Sequence, residues 1–230
     1  AVTAKPKRRW YQFSLRTLGL VVTLSTVVAW LAHIQRRAAE QRRVVDLLTL
    51  RYESEHHDPP IRYDFERAGL NAPPNVPSWL VKTLGVDCFA EVTEARTNSS
   101  PESAQEGGAK GLHRFSTFRK LKSLDLFLPD ISDDDLSVLN DHPQLEALSM
   151  CYTNVSGKGF RNASFRRSLR DLRLEGCPVD DEGLEAISQF ENLEVLNLRI
   201  GQHGLRWQPF SAPGILHLQK LTSLRSLIVC

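Results

Sequence analysis

His56 and His57 stand beside Asp58, residue types that ligate a divalent metal through imidazole nitrogen and carboxylate oxygen. Such a site needs a third and a fourth ligand, and none follows at a recognisable spacing, so HHDPP reads as a solvated turn against a metal site. Residues 107–111, GGAKG, put a lysine among glycines but lack the spacing of a phosphate-cradling loop. Cys88, Cys151, Cys177 and Cys230 contain neither a C-x-x-C pair nor the dense spacing of a disulfide scaffold, so they mark no zinc site and leave the redox compartment open. No nucleophile stands with a base, and no carboxylate pair has the spacing of a cleft. Catalysis, cofactor and metal are therefore not expected, and the function sought is binding or assembly.

With 230 residues, 41% hydrophobic and 24% charged, the chain has the composition of a folded protein large enough for one or two modest cores. A net charge of +2 is too small to imply a nucleic-acid partner. The basic residues are unevenly placed, however, and crowd around one apolar segment near the N-terminus, which points to a lipid bilayer.

That segment, residues 17–35, carries no formal charge and as a helix is long enough to cross a hydrocarbon core of about 30 Å. Trp10 and Trp30 are twenty residues apart, so with Tyr11 they could occupy the two interfacial aromatic belts. Lys5, Lys7, Arg8, Arg9 and Arg16 lie on one flank, in a basic tail of residues 1–16; Arg36, Arg37, Arg42, Arg43 and Arg51 lie on the other. A cleaved signal peptide is the rival reading, but the run is long and no A-x-A site follows it. Equal flanks leave orientation nearly balanced, and the free N-terminal amine tips it toward the N-terminus inside. The helix is expected to continue over residues 36–50, since no Pro or Gly interrupts it. Val27, Leu31, Ile34, Ala38, Gln41, Val45 and Leu48 alternate gaps of four and three, a seam through which two copies could pair as a short coiled coil.

Residues 51–90 read as a small cap on the C-terminal region. Ile61, Tyr63 and Phe65 alternate with Arg62 and Asp64 at the period of a half-buried strand. Pro73, Pro74 and Pro77 mark a loop, after which Ser78 is placed to cap a short helix ending at Gly85.

From residue 91 onward a repeat governs the chain. Measured from Leu169, apolar residues fall at offsets 3 (Leu172), 5 (Leu174), 10 (Val179), 15 (Leu184), 18 (Ile187) and 21 (Phe190), and Leu193 restarts the series at 24. The same step back gives Leu145, Leu148, Met150, Val155 and Phe160, then Leu121, Leu124, Leu126, Ile131, Leu136 and Leu139. Gaps of two belong to a strand and gaps of three to a helix, so each unit is a strand that turns into a short helix. Offset 11 is Ser132, Ser156, Asp180 and Gly204, all suited to an N-cap, which gives the acidic run at Asp133, Asp134 and Asp135 a structural reason.

The pattern Leu169, Leu172, Leu174, Cys177, Val179 resembles the leucine-rich-repeat family. At the Asn/Cys position the other copies carry Pro129, Thr153 and Gly201, so the polar ladder usual there is incomplete. With the opening WYQFSLRTL and the apolar run after it, the chain is similar to bacterial membrane-anchored leucine-rich-repeat proteins. The resemblance implies an α/β solenoid of 24-residue units over residues 91–230 behind a transmembrane helix, held in a bacterial inner membrane and binding another protein. In such a fold Cys177 would fill the turn, and Cys151 would face outward, too differently placed for a disulfide with it.

Two places break the period. Leu193 to Leu224 is 31 residues, with the surplus in GQHGLRWQPFSAP, residues 201–213; Arg206, Trp207 and Phe210 there either anchor a partner or pack under a widened turn. Val92 to Leu121 is 29 residues, with the surplus in a polar loop, NSSPESAQEGGAKG.

The strand residues that point away from the core form the candidate partner face: Asp125 and Phe127, Ser149 and Cys151, Arg173 and Glu175, Asn197 and Arg199, then Ile228. Glu175 and Arg199 could instead simply pair with each other. Protein–protein interaction at the membrane is the leading expectation. The alternative is a structural protein assembling through the strand Leu224, Leu227 and Val229, an exposed edge, or through the juxtamembrane helix.

Overall fold

The computed structural model describes residues 15–51, 59–71, 73, 75–97, 109–199 and 210–229. Trp10, His56, His57, Arg206, Trp207 and Cys230 lie outside them.

A single helix, α1 (Leu15–Arg51), carries the apolar segment and the basic stretch after it without a break. It is the one helix among the described residues long and apolar enough to cross a membrane. Hydroxyls within the apolar part are satisfied by their own helix: Thr23, Ser25 and Thr26 donate to the carbonyls of Leu20, Val22 and Thr23 at 2.8–3.0 Å. Its large apolar side chains, among them Leu20, Leu24 and Trp30, are exposed, so the protein's own core does not cover them.

The second half of α1 is held by the rest of the chain. Ala38 and Gln41 are buried, and Val44, Val45 and Leu48 pack on the core. Gln41 donates from Nε2 to Asp87 Oδ1 and to the Ala90 carbonyl, both at 3.1 Å. Arg42 Nε and Tyr63 Oη also donate to Asp87, at 3.1 and 2.9 Å, so one buried carboxylate ties three segments together. The lower part of the proposed dimer seam, Ala38, Gln41, Val45 and Leu48, is thus engaged within the chain.

Among the described residues seven strands form one sheet, in chain order: β1 (Ile61–Tyr63), β2 (Val92–Arg96), β3 (Ser123–Leu126), β4 (Ala147–Cys151), β5 (Asp171–Glu175), β6 (Val195–Asn197) and β7 (Ser226–Ile228). β1 is antiparallel to β2, and every later pairing is parallel. The period-two reading of residues 61–65 fails after Tyr63: Asp64–Arg67 is a helical turn, with Glu66 accepting from the Tyr63 N–H at 2.9 Å. Phe65 is still buried, now from the turn. The next helix is Ser78–Leu84, with Pro77 rather than Ser78 at the cap, because Ser78 already has helical geometry; Gly85 ends it at φ 88°.

The 24-residue step becomes register. Leu124, Leu148, Leu172 and Leu196 are Cα partners across β3 to β6, all at most 1% exposed and in one core. Ala95 pairs with Leu124 and Leu196 with Leu227, so both surpluses are looped out without shifting a strand. Leu227, 44% exposed, lies beyond the core. Behind the sheet the helical halves bury Phe160, Phe165 and Phe190, whose ring centroids stand 5.8–6.5 Å apart. Each such ring contributes several kcal/mol, roughly 3–5 if truncated to alanine.

His142 stands three residues before Leu145, the position taken by Phe118 one unit earlier and Phe190 two units later. It is wholly buried with them. The Phe118 carbonyl is near enough to favour the charged ring slightly, but neither ring nitrogen makes a well-formed hydrogen bond.

The N-cap expectation holds for Ser132, where the Asp135 carboxylate accepts from Ser132 N and Oγ at 2.9 and 3.0 Å, and for Asp180, which accepts from Gly183 N at 2.8 Å. It fails for Ser156: Gly157, at φ 96°, is the cap of Lys158–Asn162, and the capping carboxylate is Asp133 from the preceding unit. Gly204 lies outside the described residues, and Ser211 fills the capping role, accepting from Gly214 N at 3.3 Å. Ser211 is thirteen residues before Leu224, as Asp180 is before Leu193, so the surplus precedes the cap.

The polar ladder, incomplete at the Asn/Cys position, runs instead one residue before each leading leucine. Gln144, Ser168, Asn192 and Ser223 donate to the carbonyls of Arg119, Pro143, Arg167 and Glu191 in the unit before, at 2.6–3.2 Å. These side chains satisfy turn carbonyls that parallel strands cannot reach.

Candidate interaction face

On a strand, residues two apart share a side, so the leucines that bury one side of β3 to β6 force the alternate residues outward. Arg96, Asp125, Ser149, Arg173, Asn197 and Ile228 are Cα partners in one row across β2 to β7. Cys151 and Glu175 pair in a second row. The structure therefore puts Asp125, Ser149, Arg173, Asn197, Cys151 and Glu175 on one side, as expected from the spacing.

A hollow of about 180 Å³ opens on this side, lined by the charged residues Arg96, Asp125, Asp171 and Arg173 and the small residues Ser123, Ala147 and Ser149. Arg173 is fixed by Asp171 on its own strand, Nε and Nη2 donating to the two carboxylate oxygens at 3.0 and 2.8 Å. That fork holds the guanidinium firmly protonated, on a residue that lines the hollow.

Glu175 and Arg199 form no ion pair with each other; the ion pair on this face joins Arg173 to Asp171. Asp171 and Arg96 are not among the residues singled out by the repeat. Period two alone could have found both: Asp171 precedes Arg173 by two, and Arg96 follows Glu94 by two.

Phe127 closes one end of the face against Tyr152, ring centroids 5.6 Å apart. Tyr152 has a left-handed backbone, φ 55°, and its ring leans over Gly176, φ 67°, where a Cβ would come within 2.6 Å of Tyr152 Cδ1. Asn197 turns inward to its own strand end, its Oδ1 accepting from Arg199 N at 3.0 Å. Cys151 is half-buried, 3.8 Å from Ser149 Oγ, and burial pushes its thiol above the ordinary range. Cys177 packs against the core, near Thr153 Oγ1 at 3.2 Å and donating to the Met150 carbonyl at 3.4 Å; burial raises it too. Cys88, Cys151 and Cys177 are free thiols. Of the three loop residues proposed as anchors, Phe210 packs partly buried on the core, and Arg206 and Trp207 lie outside the described residues.

The family model for the leucine rich repeat matches residues 167–188. The match spans β5 and the helix Asp181–Ile187, the unit with the full Leu-Leu-Leu-Cys-Val pattern. It supports a leucine-rich-repeat family for the chain, and leucine-rich repeats are interaction scaffolds more often than catalysts. The repeat thus suggests a protein–protein interaction module. Among the described residues no group of three His, Cys, Asp or Glu side chains could hold a metal ion.

Proposed function

We propose that the chain is a membrane-tethered leucine-rich-repeat module for protein–protein interaction, without catalysis, its units over residues 91–230 stacked as a solenoid. Residues 17–35 are the span, following a basic tail of residues 1–16; residues 36–50 are the juxtamembrane helix packed against the repeats, and residues 51–90 cap the first repeat strand, β2. The single observation that carries the binding role is the outward row from Arg96 to Asn197, with Arg173, held by Asp171, lining a hollow of about 180 Å³. A preorganised cation beside Asp125 fits a partner that presents a mixed polar surface with one projecting side chain. The exposed apolar half of α1 supports the tether, with the bacterial inner membrane as its location and the N-terminus inside.

Cross-linking in the native membrane from a photoreactive residue at Ser149 tests this. A protein adduct that is lost on Arg173→Glu supports the reading; adducts unaffected by that change would remove the face from the proposal.

A second reading, self-assembly, has its own observation: Ile215, Leu216, Leu227 and Val229, around β7, are all more than 40% exposed. Covering them with a second copy would hide apolar surface. A monomeric mass for the detergent-solubilised chain at high concentration would count against it.

A further inference from the structure

We propose that the pocket between α1 and the first repeat holds the headgroup of a membrane phospholipid that carries both a phosphate and a primary ammonium. The inference rests on residues 17–35 spanning the bilayer. The pocket measures about 440 Å³, within the usual range of small-molecule sites, and its walls include Ile34, Arg37, Glu40, Gln41, Glu91 and Arg119.

Depth comes first. If the apolar span ends at Gln35, Gln41 stands about 9 Å beyond it along the helix. The polar layer of a bilayer is roughly 5–8 Å thick on each side. Ile34 and Gln41, both in the pocket's lining, therefore bracket the headgroup layer.

Charge comes second. Arg37 and Glu91 meet at 3.3 Å with side chains 38% and 26% exposed, so the pair faces open space, and each has hydrogen-bonding capacity left over. Arg119 makes no ion pair with another described residue and lines the same pocket. Asp87 is already taken up by Gln41, Arg42 and Tyr63, which leaves Glu40 without an ion pair among the described residues and Glu91 with acceptor capacity beyond its bond to Arg37. Two guanidinium groups suit a phosphate, for which their planar donor forks are matched. Two carboxylates beside them would repel a headgroup that offers only negative charge. They suit a primary ammonium, which donates three hydrogen bonds, better than a trimethylammonium, which donates none.

The test uses the chain purified in mild detergent and offered equal amounts of phosphatidylethanolamine, phosphatidylcholine and phosphatidylglycerol with matched acyl chains. Native mass spectrometry counts the lipids retained. One phosphatidylethanolamine should stay bound in preference to the others, and Arg119→Gln should lower its retention about tenfold, the effect of one charge-assisted hydrogen bond. Arg225→Gln, far along the sheet, should not. Circular dichroism and the melting temperature establish that Arg119→Gln is folded; if it is not, Glu40→Lys replaces it and should move the preference to phosphatidylglycerol. Equal retention of the three lipids, or a preference for phosphatidylglycerol by the unaltered chain, would overturn the proposal. Binding of soluble phosphoethanolamine as strongly as the lipid would overturn the lipid source. The span itself is tested apart, by whether the chain stays with vesicles after alkaline extraction; loss at that step sinks the tether, whereas retention without a headgroup preference sinks only the pocket.

Discussion

The carboxylate of Asp133 accepts from the backbone N–H of Gly157 at 3.0 Å, and Gly157 stands one full repeat further along the chain. The same carboxylate takes the N–H of Gly159 at 2.9 Å and both N and Oγ of Ser156 at 2.9 and 2.7 Å. Asp181 does likewise for Ser211, accepting from its N and Oγ at 2.7 Å. Helix starts in this protein are thus capped partly from the unit before, so neighbouring repeats are joined by polar bonds as well as by the shared core.

Asp133→Ala should destabilise the chain by about 2 kcal/mol, since it leaves helix-end donors half-buried without an acceptor. Asp134→Ala, at an exposed neighbouring position, should change stability by less than about 0.5 kcal/mol. Urea unfolding in detergent compares the two, and equal effects would mean that the bonds to Ser156 and Gly157 carry no weight.

His142 is buried with its ring nitrogens unpaired, and burial lowers its pKa from the ordinary value of 6.5. Below that value the unfolded chain takes up a proton that the folded chain resists, so stability should fall as pH drops through the mid-sixes and be unaffected above it. His142→Phe, matching Phe118 and Phe190, should remove this slope and raise stability at pH 8 by about 1 kcal/mol. Thermal melts between pH 5 and 8 decide; parallel curves for both proteins would refute the assignment.

Gly176→Ala should cost about 1–3 kcal/mol, because φ 67° and a 2.6 Å approach to Tyr152 penalise any Cβ. The contact that moves is Tyr152 against Phe127, so loss of partner cross-linking should accompany the loss of stability. A variant with unchanged melting would show that the turn has room.

Arg173→Glu breaks an ion pair whose arginine side chain is 54% exposed, and exposed pairs are worth little, so stability should change by less than about 1 kcal/mol. Partner capture should nevertheless fall several-fold, since the charge over the hollow is reversed. If capture persists while stability is unchanged, the hollow is not where the partner docks.

Much of the fold was legible because burial has a period. Leu124, Leu148, Leu172 and Leu196 fall into register since a constant step brings identical side chains to the same place in each unit. The outward row was legible for the same reason. Tyr63 and Phe65 misled because period two persisted for one residue after the backbone had turned, and both side chains remain turned toward the protein: their rings stack at 5.7 Å.

The sequence by itself determined the apolar helix, the strand-and-helix unit, its step and the side of each strand that faces the core, since these follow from local spacing of apolar side chains. Only the tertiary structure decided that Asp133 serves the next repeat, that His142 is wholly buried beside the Phe118 carbonyl, that Arg173 pairs with Asp171 and that Gln41 clasps Asp87. Those outcomes depend on which polar groups come within hydrogen-bonding reach once segments far apart in the chain are packed together, and no periodicity in the chain encodes that distance.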